Sequence, residues 1–116
     1  PDPERRAIAT RAMAIWADGV AELRDRLEDD DPRVRAAAAD AVALAGAEAL
    51  AANVGRLLGD RSWIVRERAG RSLAAMGPTG VMTLRIHLDD EDGYARDMAR
   101  QVLDTLGVAH AGVQVA

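Results

Sequence analysis

The chain has no cysteine, no lysine and no phenylalanine, and its only aromatic residues are Trp16, Trp63 and Tyr94. The absence of cysteine excludes disulfides, thiolate zinc sites and cysteine nucleophiles. So few aromatics are poor material for a β-sandwich. The Ala, Leu and Val that carry the 49% hydrophobic content suit closely packed helices instead. No apolar run approaches the ~18 residues needed to span a bilayer. A signal peptide is lacking, and the chain opens Pro-Asp-Pro without Met. That start suggests a piece of a longer protein, with targeting information outside it. A net charge of −4 argues against a chain that binds nucleic acid as a whole.

What is present is a repeat. The run Asp31 to Gly46 reappears 31 positions on, from Ser62 to Gly77, and a further 30 on, from Asp92 to Gly107. Moved back 29, it falls on Asp2 to Ala17. A fixed period near 30 residues marks a repeat architecture. The spacing divides the chain into a half repeat (1–17), three full repeats (18–46, 47–77 and 78–107) and a tail over 108–116.

Each full repeat reads as a pair of helices. The first pair is Gly19 to Glu28, with Val20, Leu23 and Leu27 inward, and Pro32 to Ala45, capped by Asp31 and stopped by Gly46. Val34, Ala37, Ala38, Ala41 and Val42 face inward there. The second is Ala47 to Leu58 with Trp63 to Met76, capped by Ser62 and closed by Gly77. The third is Thr79 to Leu88 with Gly93 to Leu106, closed by Gly107. Ahead of them, Asp2 to Ala17 reads as a lone second helix with Asp2 as N-cap. Ile8, Met13 and Trp16 lie on its apolar face, and their exposure would favour self-association through this first helix. Stacked pairs share one continuous core, which predicts an all-α, right-handed α-solenoid of antiparallel pairs with about seven helices.

The motif Leu-x-Asp, a polar turn, Val-Arg, Ala-Ala spacing and a closing Gly resembles the HEAT repeat in its bacterial, bilin-lyase-like variety. The resemblance covers nearly the whole chain to Gly107. It implies that Asp29, Arg35, Asp60, Arg66, Asp90 and Arg96 form a ladder linking neighbouring repeats, which an arginine fork is well shaped to do. Two places depart from the pattern: Ala95, where the sister repeats have Val, and Arg68, in an inward slot from which it is expected to snorkel outward. A narrower resemblance, carried by Ser62-Trp63-x-Val65-Arg66 and by Tyr94 to Ala99, is to membrane-anchored HEAT proteins that accompany a membrane glycosyltransferase. It implies a cytoplasmic location, tethered through a preceding segment, with no membrane contact by this chain itself.

Candidate chemistry is sparse. The acidic runs Glu28 to Asp31 and Asp89 to Asp92 could hold Ca²⁺ or Mg²⁺, but the full calcium-loop pattern is missing and both runs stand where helix N-termini need caps. His87 and His110 are far apart in sequence, Ser62 has a capping role, and no nucleophile is paired with a base. The reading is therefore non-catalytic, with no cofactor and no metal. The surface left for work is the outward line of the second helices, expected to form a concave face: Arg11, Asp40, Trp63, Arg71, Arg100 and Gln101. Those helices carry ten Arg against six acids, a mixed surface that suits a protein partner better than nucleic acid. A scaffold that binds another protein there is the leading reading. A chromophore-lyase-like enzyme subunit and a HEAT-like nucleic-acid binder are the alternatives.

Overall fold

The computed structural model describes residues 2–6 and 19–107. These contain helices and turns and no strand. The predicted helical residues 7–17, including the apolar face with Ile8, Met13 and Trp16, lie outside the described residues, as does the tail. What is described of the half repeat is helical over 3–6, with Asp2 Oδ1 accepting from the N–H of Glu4 at 3.0 Å.

Six α-helices follow: α1 (Val20–Arg26), α2 (Pro32–Ala45), α3 (Ala51–Gly55), α4 (Trp63–Ala75), α5 (Gly77–Ile86) and α6 (Gly93–Leu106). The second helices α2 and α4 pack most extensively on each other, α4 packs in turn on α6, and the first helices line the opposite side. Equivalent positions share one environment. Val34, Val65 and Ala95 are all buried, as are Ala38, Ala69 and Ala99, and Val42, Leu73 and Leu103. Burial of each Leu or Val contributes about 1.5–3 kcal/mol, so the shared seam is the main source of stability. These stacked pairs form an α-solenoid.

The ends of α2 follow the sequence closely. Asp31 accepts from the N–H of Arg33 at 2.8 Å, Pro32 starts the helix, and Gly46 ends it in the left-handed conformation at φ 65°. Gly77 and Gly107, one and two periods on, have φ 63° and 71°. In that region a Cβ is strained, so the repeated stop is a backbone requirement.

Several expectations give way. Ala47 to Leu58 is not one helix: 3₁₀ turns at Glu48–Leu50 and Arg56–Gly59 flank the short α3. Asn53, Gly55 and Gly59 are weak helix formers, and the tighter winding still brings Leu50, Val54, Leu57 and Leu58 inward. The first helix of the third repeat begins at Gly77, not Thr79, because Pro78 is accommodated in the first turn, where no N–H is needed. It ends at Ile86, with a 3₁₀ turn over His87–Asp89. Val20, expected inward, is 38% exposed. Ser62 occupies the N-cap of α4 without a side-chain capping bond. Arg68 does not snorkel into water; it reaches back one repeat to Asp40, with Nη1 2.7 Å from Oδ2.

The flanks of the second helices differ. In α2, Ala36 to Ala39 are all buried, as are Val34, Ala41 and Val42. In α6 only Ala95, Ala99 and Leu103 are, one residue per turn.

Candidate interaction surfaces

Two features stand out: the ladder of polar turns and a groove between second helices. The ladder is built by the turn between the helices of each repeat. In the second and third repeats the first helix ends in a 3₁₀ turn that leaves Asp60 or Asp90 in extended backbone at the start of the polar turn. There Asp29, Asp60 and Asp90 each accept the N–H two residues on, from Asp31, Ser62 and Asp92 at 2.9, 2.9 and 2.8 Å. Asp92 in turn caps α6 through the N–H groups of Tyr94 and Ala95. Both acidic runs are thus engaged in capping. Among the described residues no three His, Asp or Glu side chains are grouped as metal ligands would be.

Each ladder arginine first anchors itself to its own turn. Arg35, Arg66 and Arg96 donate from Nη1 to the carbonyls of Asp29, Asp60 and Asp90 at 2.8, 2.7 and 2.9 Å. The rest of the fork looks forward one repeat. Arg35 grips Asp60 through Nε at 2.8 Å and Nη2 at 3.0 Å, with the two side chains only 11% and 8% exposed. Arg6 grips Asp29 in the same way at 3.2 Å. Arg6 was missed as a ladder residue, although moving Arg35 back 29 positions lands on it. Burial works to raise the Asp60 and Asp29 carboxyls, but the turn N–H groups and the arginines outweigh it, and both lie below the ordinary carboxylate value. The expected third rung is absent. Asp90 Oδ2 instead lies 2.8 Å from His87 Nδ1, and the Arg66 guanidinium sits over the Tyr94 ring, 4.2 Å from its centroid. Asp90 too is held low, by the Asp92 N–H and by His87.

The groove, about 270 Å³, runs between α2 and α4 and is lined by Asp40, Ala43, Leu44, Arg71, Ser72 and Ala75. Leu44 is 73% exposed at its edge. Ser72 is buried in its wall, and among the described residues its hydroxyl has only the Met76 sulfur, 4.0 Å away, as a hydrogen-bond partner. Arg71 is held by Glu67 at 2.7 Å across one helical turn, and Asp40 by Arg68.

Of the residues predicted for the working face, Asp40 and Arg71 come together here. Trp63 begins α4 and is 65% exposed, away from the groove. Arg100 and Gln101 are exposed on α6 and do not line it. Arg11 lies outside the described residues. Leu44 was not singled out from sequence; its place on the apolar half of α2 disguises it as core.

Helix pairs stacked on a common seam, with turns tied forward by arginine forks, define a helical repeat protein of the solenoid class. The family model for HEAT repeats matches residues 1–74 and 20–104, so the chain belongs to the HEAT-repeat family. No curated protein matches it. HEAT repeats typically mediate protein interactions. No described helix is long and apolar enough to cross a membrane.

Proposed function

We propose that the chain is a non-catalytic interaction module that seats a protein partner along its second helices, centred on the groove between α2 and α4. The observation that carries this reading is Leu44, 73% exposed beside the small side chains of Ala43 and Ala75, with Asp40 and Arg71 on the same walls. An apolar centre with a polar rim including Arg is the usual composition of a binding patch. Asp40 and Arg71 are already paired within the chain, so an aliphatic side chain entering the groove strands neither charge. The resemblance to membrane-anchored HEAT proteins makes a membrane-associated enzyme, such as a glycosyltransferase, the first partner to try.

A photo-crosslinking residue at position 44, compared with one at the exposed Ile86 on α5, tests the reading. Crosslinks to a defined protein from position 44, lost with Arg71→Glu, are expected. Crosslinks only from position 86, or none that depend on Arg71, would overturn it. Bilin absorbance after incubation, or a salt-sensitive gel shift, would instead favour the lyase or nucleic-acid alternative.

A further inference from the structure

The forward-facing arginines are alike in sequence and unlike in what they hold. Arg6 and Arg35 each use Nε and an Nη to grip both oxygens of the next repeat's aspartate. Arg66 keeps the same anchor, with Nη1 on the carbonyls of Asp60 at 2.7 Å and Arg61 at 3.3 Å. Its Nε and Nη2 have no acceptor among the described residues. The carboxylate that the period would supply is Asp90. Its Oδ1 accepts the Asp92 N–H as its sisters accept theirs, but its Oδ2, the oxygen that meets the arginine Nε in Asp29 and Asp60, is held by His87 Nδ1, both at 2.8 Å. The Arg66 guanidinium lies instead over Tyr94, whose side is open to solvent at 62% exposure. Trp63, three residues back on the same helix, is 65% exposed and so a near neighbour on the α4 surface.

We propose that the open fork of Arg66 is a carboxylate-binding site that takes an Asp or Glu side chain from an acidic segment of a protein partner. Three observations lead there. The two vacant N–H groups belong to the edge of the guanidinium that holds a carboxylate in both sister arginines, so the geometry fits a planar, bidentate anion. The Nη1 anchor and the ring beneath fix the plane before anything binds, which reduces the ordering cost of binding. Exposed Trp and Tyr beside an arginine form the combination that dominates protein recognition sites. The acidic turn Asp89 to Asp92 leads directly into Tyr94, and its repulsion penalises a doubly charged phosphate more than a single carboxylate. The site sits at the N-terminal ends of α4 and α6, apart from the α2–α4 groove, and stands or falls independently of it.

The test is side-chain NMR of the arginine Nε–H groups in the whole chain. The probes are acetyl-Ala-Glu-Ala-amide, its glutamine counterpart and inorganic phosphate. The expected result is a saturable shift of the Arg66 Hε signal with the glutamate peptide and none with glutamine. Followed through the Tyr94 backbone amide signal, Arg66→Lys, which keeps the charge but loses the fork, is expected to weaken binding about tenfold or more. Because Arg66 also ties its own turn, Tyr94→Leu is the second variant: it leaves fork and anchor in place and is expected to weaken binding several-fold. The proposal is overturned by an absent shift with the glutamate peptide, by an equal shift with glutamine, or by phosphate binding more tightly than the carboxylate.

Discussion

Replacing Asp60 with Asn probes how much one inter-repeat rung contributes. With side-chain exposures of 11% and 8%, neither Arg35 nor Asp60 is well hydrated in the folded chain. The substituted amide would keep the shape and an acceptor for the Ser62 N–H, but would face a guanidinium without a charge. Removing one partner of a buried pair costs about 3–5 kcal/mol. The bonds that Arg35 retains to the Asp29 and Asp30 carbonyls lower the expected loss, to about 2–3 kcal/mol. Asp90→Asn is the internal control. Its carboxylate is 28% exposed and faces His87, not an arginine, so the loss is expected to stay under about 1 kcal/mol. Urea unfolding followed by helical circular dichroism at neutral pH measures both. The acid limb adds a second readout. The folded Asp60 carboxyl lies below its ordinary value of 3.8. Its stabilisation is therefore complete above that value and lost as pH falls through the lower folded one. Asp60→Asn should accordingly flatten the decline in stability on acidification, leaving the part due to Asp29, Asp31 and Asp90, whose carboxyls are also held low. Equal losses in the two variants, or an acid limb unchanged by Asp60→Asn, would refute the reasoning.

Other outcomes follow from the same geometry. A Cβ on Gly80 would overlap the Leu73 carbonyl group. Gly80→Ala must therefore push α5 off α4, and a loss of about 3 kcal/mol is expected in thermal unfolding. Asp31→Ala should cost about 1 kcal/mol through its lost cap, while Ser62→Ala, whose side chain makes no capping bond, should cost only a few tenths in the same assay. Leu44→Arg should leave the melting temperature within a degree or two, because the side chain is 73% exposed, yet abolish partner crosslinking from a photo-reactive residue placed at Ala75 on the groove wall.

The fold was legible because its signal is repeated: three left-handed glycines one period apart, and apolar positions that recur with them, constrain backbone and core alike. The bounds of α2 and α6 follow from Asp31, Gly46, Asp92 and Gly107, each a residue with a physical task. The short α3 did not follow, since winding there depends on how Gly55 and Gly59 pack against the next repeat. The ladder was half legible. An Asp six residues before an Arg marks the own-turn anchor, but the carboxylate grip crosses to the next repeat, and no spacing rule reveals that His87 captures Asp90 or that Arg66 turns to Tyr94. The groove was the least visible, because an exposed Leu on an Ala-rich helix has the same sequence signature as a buried one.

The sparse burial of α6 has a consequence for growth of the stack. At the positions where α2 offers Ala36, Ala39 and Ala43 to its neighbour, and α4 offers Glu67, Gly70 and Ala74, α6 carries Asp97, Arg100 and Asp104, all exposed. Docking another helix pair there would bring three charged side chains into the contact, where α4 brings one. A further pair on this face is thereby disfavoured by hydration, and building a tight joint there by design would begin with rewriting those three residues.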